Sequence, residues 1–300
     1  MSSGATAPDA GSVEACIVSY DSHEMLATTL SNLTAEAPHL RVAIREHAGD
    51  EAFASLTELS KSFRGDIRIS HNPGNPGFGA GCNALAITST ADHLLFLNPD
   101  AAVHRWPWSP DRPPPKDQVI GPTMIGDGSA ARHAGRRYWI RDEIARSWLR
   151  RPGPLPDGDG FVSGAALLID RRSFESVGGF DEGFFLFYED IDLCLRANAA
   201  GISTHLDPGW RVLHAGGHST RSRFASALEW SYVSACRFYA RQGSSITGYR
   251  IYVIADAIAR AGFRIVSGNW PLGRAHLGLA RRAIADLAAC DTSSIDPESR

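Results

Sequence analysis

The chain has 300 residues, 43% of them hydrophobic and 21% charged, with a formal net charge of -3. That is the composition of an ordinary soluble globular protein with a sizeable core, and it argues against wholesale nucleic-acid binding, which normally shows a basic domain. The five cysteines (Cys16, Cys82, Cys194, Cys236 and Cys290) are scattered without a CxxC pair, so neither a disulfide framework nor a zinc site is indicated and a reducing, cytoplasmic setting is expected.

Residues 1–11 are small and polar and read as a disordered tail, without the basic and apolar regions of a signal peptide. No run of about eighteen apolar residues, the length a membrane span needs, occurs. "EACIVSY" (14–20) predicts a strand, and "SHEMLATTLSNLTAE" a helix with an apolar stripe at Met25, Leu26, Leu30 and Leu33. A strand over 41–46, a helix over "EAFASLTELSKSF" and a strand over 66–70 follow. The glycine-rich stretch 71–83 predicts a loop, with a helix from about Ala84 and then the strand "HLLFL". Strands alternating with helices imply parallel βαβ units and a layered α/β sheet.

Beyond Asp100 the proline-rich segment 104–117 reads as a loop. A strand follows from Gln118, and 130–160 reads as an arginine-rich, partly helical excursion. Residues 160–201 predict a strand, a short helix, a turn, an aromatic segment and a helix. Residues 203–220 predict two short strands and a glycine turn. From about 221 the chain reads as helical, and 221–300 hold 11 Arg against 6 acids where 1–220 hold 19 Lys and Arg against 27 acids. In "IYVIADAIARAGFRIV" a narrow polar stripe of Asp256, Arg260 and Arg264 marks a helix that wants burial on most of its other sides. The expected domains are therefore a tail (1–11), an α/β domain (12–220) and a helical extension (221–300).

Three constellations carry candidate chemistry. "NPGNPGFGAGCN" stands before a helix, and such glycines let backbone N–H groups approach a phosphate. It matches neither the P-loop nor the dinucleotide pattern, so a surface loop is the alternative. "FFLFYEDIDLCLR" crowds Glu189, Asp190 and Asp192 at a helix start. That complements the helix dipole, but a carboxylate emerging from an aromatic wall also has the raised pKa a general base needs. In "VLHAGGHST", His214 and His218 flank two glycines, a pattern open to a structural or a ligand role. The apolar strand Leu94–Leu97 ends on Asn98-Pro99-Asp100, which is either a plain turn or a strand-end carboxylate for a hard cation.

"NPGFGAGCN", "LLFLNPDAAV", "GAALLIDRRSFESVGGFDEGFFLFYEDIDLCLR" and "VLHAGGHST", in this order and spacing, resemble the family 2 glycosyltransferases of the GT-A fold, particularly bacterial rhamnosyltransferase-like members. The resemblance covers about residues 13–240. It implies a Rossmann-like layered sheet and inverting, metal-dependent transfer of a sugar from a nucleotide diphosphate, with dTDP-rhamnose as the first donor to consider. Galactofuranosyl, mannosyl and N-acetylhexosaminyl donors, or a non-catalytic nucleotide-sugar binder, are the alternatives.

The same resemblance makes Asp100 the last acid of a DxD-type motif binding Mg2+ or Mn2+, with Asn98 at the motif's first position. It makes His214 metal- or diphosphate-proximal and Asp190 the catalytic base, with Glu189 beside it. Ser19, Tyr20, Asn75, Gly77 and Asn83 fall around the donor. The family's Asp-Asn-Gly-Ser-like turn after the second strand is "REHAGDE" here, which makes Glu46 its substitute. The implied acceptor is a glycan or a lipid-linked saccharide of cell-wall or polysaccharide assembly. The basic C-terminal helices then have two readings: peripheral contact with the inner face of the cell membrane, or a packed appendage or homodimer interface.

Overall fold

The computed structural model describes residues 9–125, 134–135, 160–214 and 223–289. The start of the expected tail, most of the arginine-rich excursion and His218 lie outside these. The described residues form two compact units, one holding the sheet and its helices, the other holding 183–188 and the last three helices.

In the first unit the elements are β1 (Asp9–Ser19), α1 (His23–Glu36), β2 (Arg41–Glu46), α2 (Asp50–Ser60), β3 (Ile67–His71), α3 (Phe78–Thr88), β4 (Ala91–Leu97), β5 (Ala101–Arg105) and β6 (Gln118–Ile125). Then come β7 (Ala134–Gly135), β8 (Phe161–Val162), β9 (Ala166–Asp170), α4 (Arg171–Ser176), α5 (Glu189–Ala199) and β10 (Ser203–His214). Eight strands form one sheet in the order β3-β2-β1-β4-β9-β6-β10-β5, and β7 pairs with β8 separately. The neighbours β3-β2-β1-β4 are parallel, as the alternation predicts. Beyond β4 the sheet is mixed, because β9 runs antiparallel to both β4 and β6, and β5 antiparallel to β10.

Both faces of the central strands are covered, which is why Leu94–Leu97 of β4 run apolar without a break rather than alternating. Ile17 of β1 and Leu95 and Leu97 of β4 join Leu26, Leu30 and Leu33 of α1 and Leu56 of α2 in one core. On the other face Phe96 packs against Phe174 and Phe180, with ring centroids 5.0 Å apart in each case. The α1 stripe is as predicted except that Thr29 takes a buried place and Met25 does not.

Four elements differ from the sequence reading. The first strand begins at Asp9, inside the expected tail. The third helix begins at Phe78, inside the expected glycine loop. Its glycines serve packing there: a Cβ on Gly81 would lie 2.7 Å from Val18 and 2.8 Å from His47, and one on Gly79 would lie 3.0 Å from Phe180. β5 follows Asp100 at once, and Trp106 and Trp108 from the proline-rich loop pack edge-on against Trp210 at 5.6 and 5.7 Å. The two short strands expected after 203 are one strand, β10, bulged between Asp207 and Arg211.

The second unit contains α6 (Phe224–Arg241), α7 (Ile246–Val266) and α8 (Trp270–Ala288). α7 starts at Ser245, whose Oγ accepts from the Gly248 N–H, and α8 at Asn269, whose Oδ1 accepts from the Leu272 N–H. These are ordinary helix caps. Arg250 of α7 donates to the Asp286 carbonyl of α8, and Ile265 closes on Gly273, so the two helices run antiparallel. Residues 183–188 pack their aromatic side chains on α6: Phe185 on Trp230 at 5.0 Å and Tyr188 on Phe238 at 5.3 Å. Phe184 and Tyr188 of the aromatic run before the acids are buried, while Phe185, Leu186 and Phe187 are half-buried.

Candidate active site

The sheet order places a topological switch point between β1 and β4. From β1 the chain winds outward to β2 and β3, then returns through α3 to β4 on the other side of β1. Open α/β sheets hold their ligands in the crevice at the carboxyl ends of such strands. Ser19 and Tyr20 end β1 and follow it, and Asn98-Pro99-Asp100 follows β4.

The proline turn is a hydrogen-bonded β-turn in which the Ala101 N–H donates to the Asn98 carbonyl at 3.1 Å. Thr29 Oγ1 of α1 donates to the Pro99 carbonyl at 2.8 Å and anchors it from below. The turn feeds β5, and the β5–β10 register sets Ala101 opposite His214. His214 Nε2 consequently lies 3.1 Å from Asp100 Oδ1 and 3.5 Å from Asn98 Nδ2. The Asp100 and His214 side chains are 7% and 10% exposed, so the pair is shielded yet open at one edge.

The acids stand at the start of α5. Phe187 and Tyr188, just before them, have φ of 70° and 69°. Such values are strained for non-glycine residues, and strain of this kind gathers at functional sites. Asp190 accepts the Gly164 N–H at 2.8 Å on one oxygen and the Ile191 N–H at 2.8 Å on the other. Burial pushes its pKa up, opposed by these hydrogen bonds and by Ser163. Glu189 is raised well above the carboxylate range, first by burial and then by the Asp190 charge, and its Oε2 has no hydrogen-bond partner among the described residues. Burial thus disfavours the charged form of both carboxyls, while backbone hydrogen bonds favour that of Asp190.

The loop between β8 and β9 joins these two sets of residues. Its Gly164 N–H holds Asp190, and the next residue, Ala165, accepts the Asn98 N–H at 2.9 Å through its carbonyl. Asp190 and the Asn98–Asp100 turn are therefore held by adjacent residues of one short segment. Phe78 closes the same loop, since a Cβ on Gly164 would lie 3.2 Å from its ring and 3.4 Å from the Asp190 Cβ. Sequence reading passed over Ser163 and Gly164; the small Ser-Gly pair directly before an apolar strand was the available signal.

The remaining candidates divide. Glu46 is buried and saturated: its carboxylate accepts from Ser19 Oγ at 2.6 Å, the Asp21 N–H at 3.0 Å and the Ala48 N–H at 2.8 Å. It ties together the loops after β1 and β2. Asn83 lies on α3, where its amide donates to the Phe180 carbonyl at 2.9 Å and to Glu182 at 3.0 Å, and its Oδ1 accepts the Phe180 N–H at 2.9 Å. Asn75 (φ 41°) and Gly77 (φ 104°) shape the tight entry into α3, and Asn75 approaches buried His47. Tyr20 is exposed at the crevice.

Two protein donors fit a hard divalent cation that takes its other ligands from phosphate and water: the Asp100 carboxylate and the His214 imidazole, with the Asn98 amide beside them. Among the described residues no three His, Cys, Asp or Glu side chains converge as a closed metal cage.

No protein-family model matches the chain. It is 28% identical over 260 residues to rhamnosyltransferase WbbL of Escherichia coli, covering 75% of this chain and 92% of that protein. A second relative, N-acetylglucosaminyl-diphospho-decaprenol L-rhamnosyltransferase of Mycobacterium tuberculosis, is 41% identical over 108 residues, covering 36% of this chain and 35% of that one. Among solved structures, GalNAc-T7 with UDP, GalNAc and Mn2+ superposes with a TM-score of 0.56 at 15% identity, covering 76% of this chain and 47% of that one. The chain has the GT-A fold and is similar in sequence to rhamnosyltransferases. A mannosyltransferase from Pyrobaculum calidifontis, in complex with GDP-Man and Mn2+, superposes with a TM-score of 0.50 at 15% identity, covering 97% of this chain and 84% of that one. In this fold Asp100 contacts His214 after β4, and Asp190 is held by Gly164, the residue before the one that holds Asn98.

Proposed function

We propose that the protein transfers a sugar, with rhamnose from dTDP-rhamnose as the first donor to test, from a nucleotide diphosphate to a hydroxyl of a glycan or lipid-linked acceptor, with inversion at the anomeric carbon. The observation that carries this reading is the short segment Ser163–Ala165, which holds Asp190 on one side and the Asn98–Asp100 turn on the other. The similarity to WbbL supports the choice of sugar.

Asp100 and His214 would hold Mg2+ or Mn2+; when bound, such an ion neutralises charge on the departing diphosphate. Asp190, oriented by two backbone N–H groups and raised in pKa by burial, takes the proton from the acceptor hydroxyl. The acceptor oxygen forms its bond to the anomeric carbon while the bond from that carbon to the diphosphate oxygen breaks, its electron pair leaving with the nucleotide. Glu189, whose burial disfavours its charged form, limits negative charge beside the base. Glu46 positions the loops after β1 and β2 that flank the nucleoside. The test is a panel of nucleotide sugars incubated with the full chain, with and without Mn2+. Donor turnover that needs the cation and is lost in Asp100→Asn supports the reading; turnover indifferent to that substitution refutes it.

A further inference from the structure

The sequence predicts that α7 buries its apolar surface and leaves Asp256, Arg260 and Arg264 outside. In the structure α7 buries, of its apolar residues, only the stripe Tyr249, Val253, Ala257 and Ala261, and these charged residues stand half-buried beside it rather than outside. Arg260 Nε lies 2.7 Å from Asp256 Oδ2, and the fields of Asp256, Arg260 and Arg264 all act on buried His276 of α8, so the charged stripe lies toward the neighbouring helix. The outward side carries Ile251, Ala255, Ile258, Ala259, Gly262, Phe263 and Val266, all exposed and without one charge. Phe263 and Val266 are 69% and 89% exposed, and Trp270, which opens α8, is 56% exposed. A continuous apolar face of this kind marks an interaction surface rather than scattered exposed residues.

We propose that this face of α7, with Trp270, is an insertion surface for an anionic phospholipid bilayer. Charge selects this occupant. Residues 223–289 contain 9 Arg against 3 acids, while residues 1–220 are net acidic. Arg274 and Arg281 are exposed on α8 and share one face with Trp270 and Ile284. Lipid phosphates pair with these arginines as the apolar side chains of α7 and Trp270 enter the headgroup boundary. Tryptophan at the rim suits the amphipathic interface layer. Among the described residues no helix is long and apolar enough to cross a membrane, and α7 is suited to lying along one. This surface is independent of the catalytic reading and brings the enzyme to the phase where a lipid-linked acceptor resides.

The test is co-sedimentation of the full chain with phosphatidylglycerol-containing vesicles and with phosphatidylcholine vesicles, alongside light scattering of the protein alone. Anionic vesicles should bind the protein and neutral ones should bind it poorly. Phe263→Ser with Val266→Ser should lower partitioning by about tenfold or more, since both side chains lose their apolar burial in lipid. Arg274→Gln with Arg281→Gln should lower it by about fivefold per charge. Both variants should keep the wild-type melting temperature. No binding to anionic vesicles, or binding unmoved by the serine substitutions, overturns the proposal. It is equally overturned by a dimer that the serine variant dissociates, which would assign the face to a second copy.

Discussion

Asp190→Asn separates the two halves of the proposed site. The carboxylate accepts two backbone N–H groups, from Gly164 and Ile191, each at 2.8 Å. An asparagine offers one oxygen, so one N–H meets an amide N–H2 and a charge-assisted bond worth about 1.5–3 kcal/mol is lost. Removal of a buried charge offsets part of that loss. The net change is small against a stability of about 5–15 kcal/mol, and the variant should fold. Its chemistry should not survive: loss of a general base costs about two to four decades in kcat, or about 2.7–5.5 kcal/mol in the barrier. The assay pairs steady-state turnover with calorimetric binding of the nucleoside diphosphate and Mn2+. Binding should stay within about threefold of wild type, because Asp100 and His214 are untouched and an interaction made only in the transition state leaves ground-state affinity alone. If affinity and kcat fall by the same factor, Asp190 belongs to the donor site and the base assignment is wrong.

Glu189→Gln should do the opposite. The folded-state pKa of Glu189 is raised, so its ionisation opposes folding: the penalty is absent below about pH 4, the unfolded value, and grows as pH rises through the folded pKa. Denaturant titrations should therefore show Glu189→Gln matching wild type in acid and exceeding it at neutral and higher pH. Turnover should fall far less than in Asp190→Asn, and a variant less stable than wild type at high pH would contradict the upward shift of Glu189. Asn83→Ala leaves the buried Phe180 N–H and carbonyl without their amide partner and should cost about 2–4 kcal/mol in chemical denaturation; donor affinity lost with stability unchanged would show that Asn83 touches the donor instead. Gly81→Ala drives a Cβ to 2.7 Å from Val18 and 2.8 Å from His47, an overpacking that should cost about 1–3 kcal/mol in thermal denaturation; a neutral effect would show that β1 and α3 can part.

The sequence made the chemistry legible where local pattern and burial agree. Leu94–Leu97 run unbroken because helices cover both faces of β4, and the following turn and the Glu189-Asp190 pair stand at element ends where the pattern stops. It misled where one residue type serves two purposes. Gly79 and Gly81 read as loop formers, yet they let α3 lie against Phe180 and Val18. Asp207-Pro208-Gly209 reads as a break between strands, yet it is a bulge within β10, closed by the Gly209 N–H on Asp207 at 2.6 Å. Asp100 and His214 are joined only by the antiparallel β5–β10 register, a contact between distant residues that no local window contains. The placement of α7's charged stripe toward α8 was hidden for the same reason, since His276, on which those charges act, lies on another helix.

The central claim is that one crevice holds the donor's diphosphate and the base that activates the acceptor. A crystal structure of the full chain with nucleoside diphosphate and Mn2+, the metal located by its anomalous signal, tests it most directly. The ion should be held by Asp100 and His214 beside the diphosphate, with the Asp190 carboxylate facing the same bound molecule. Manganese and nucleotide on any other surface, or Asp190 turned to a separate hollow, would contradict it.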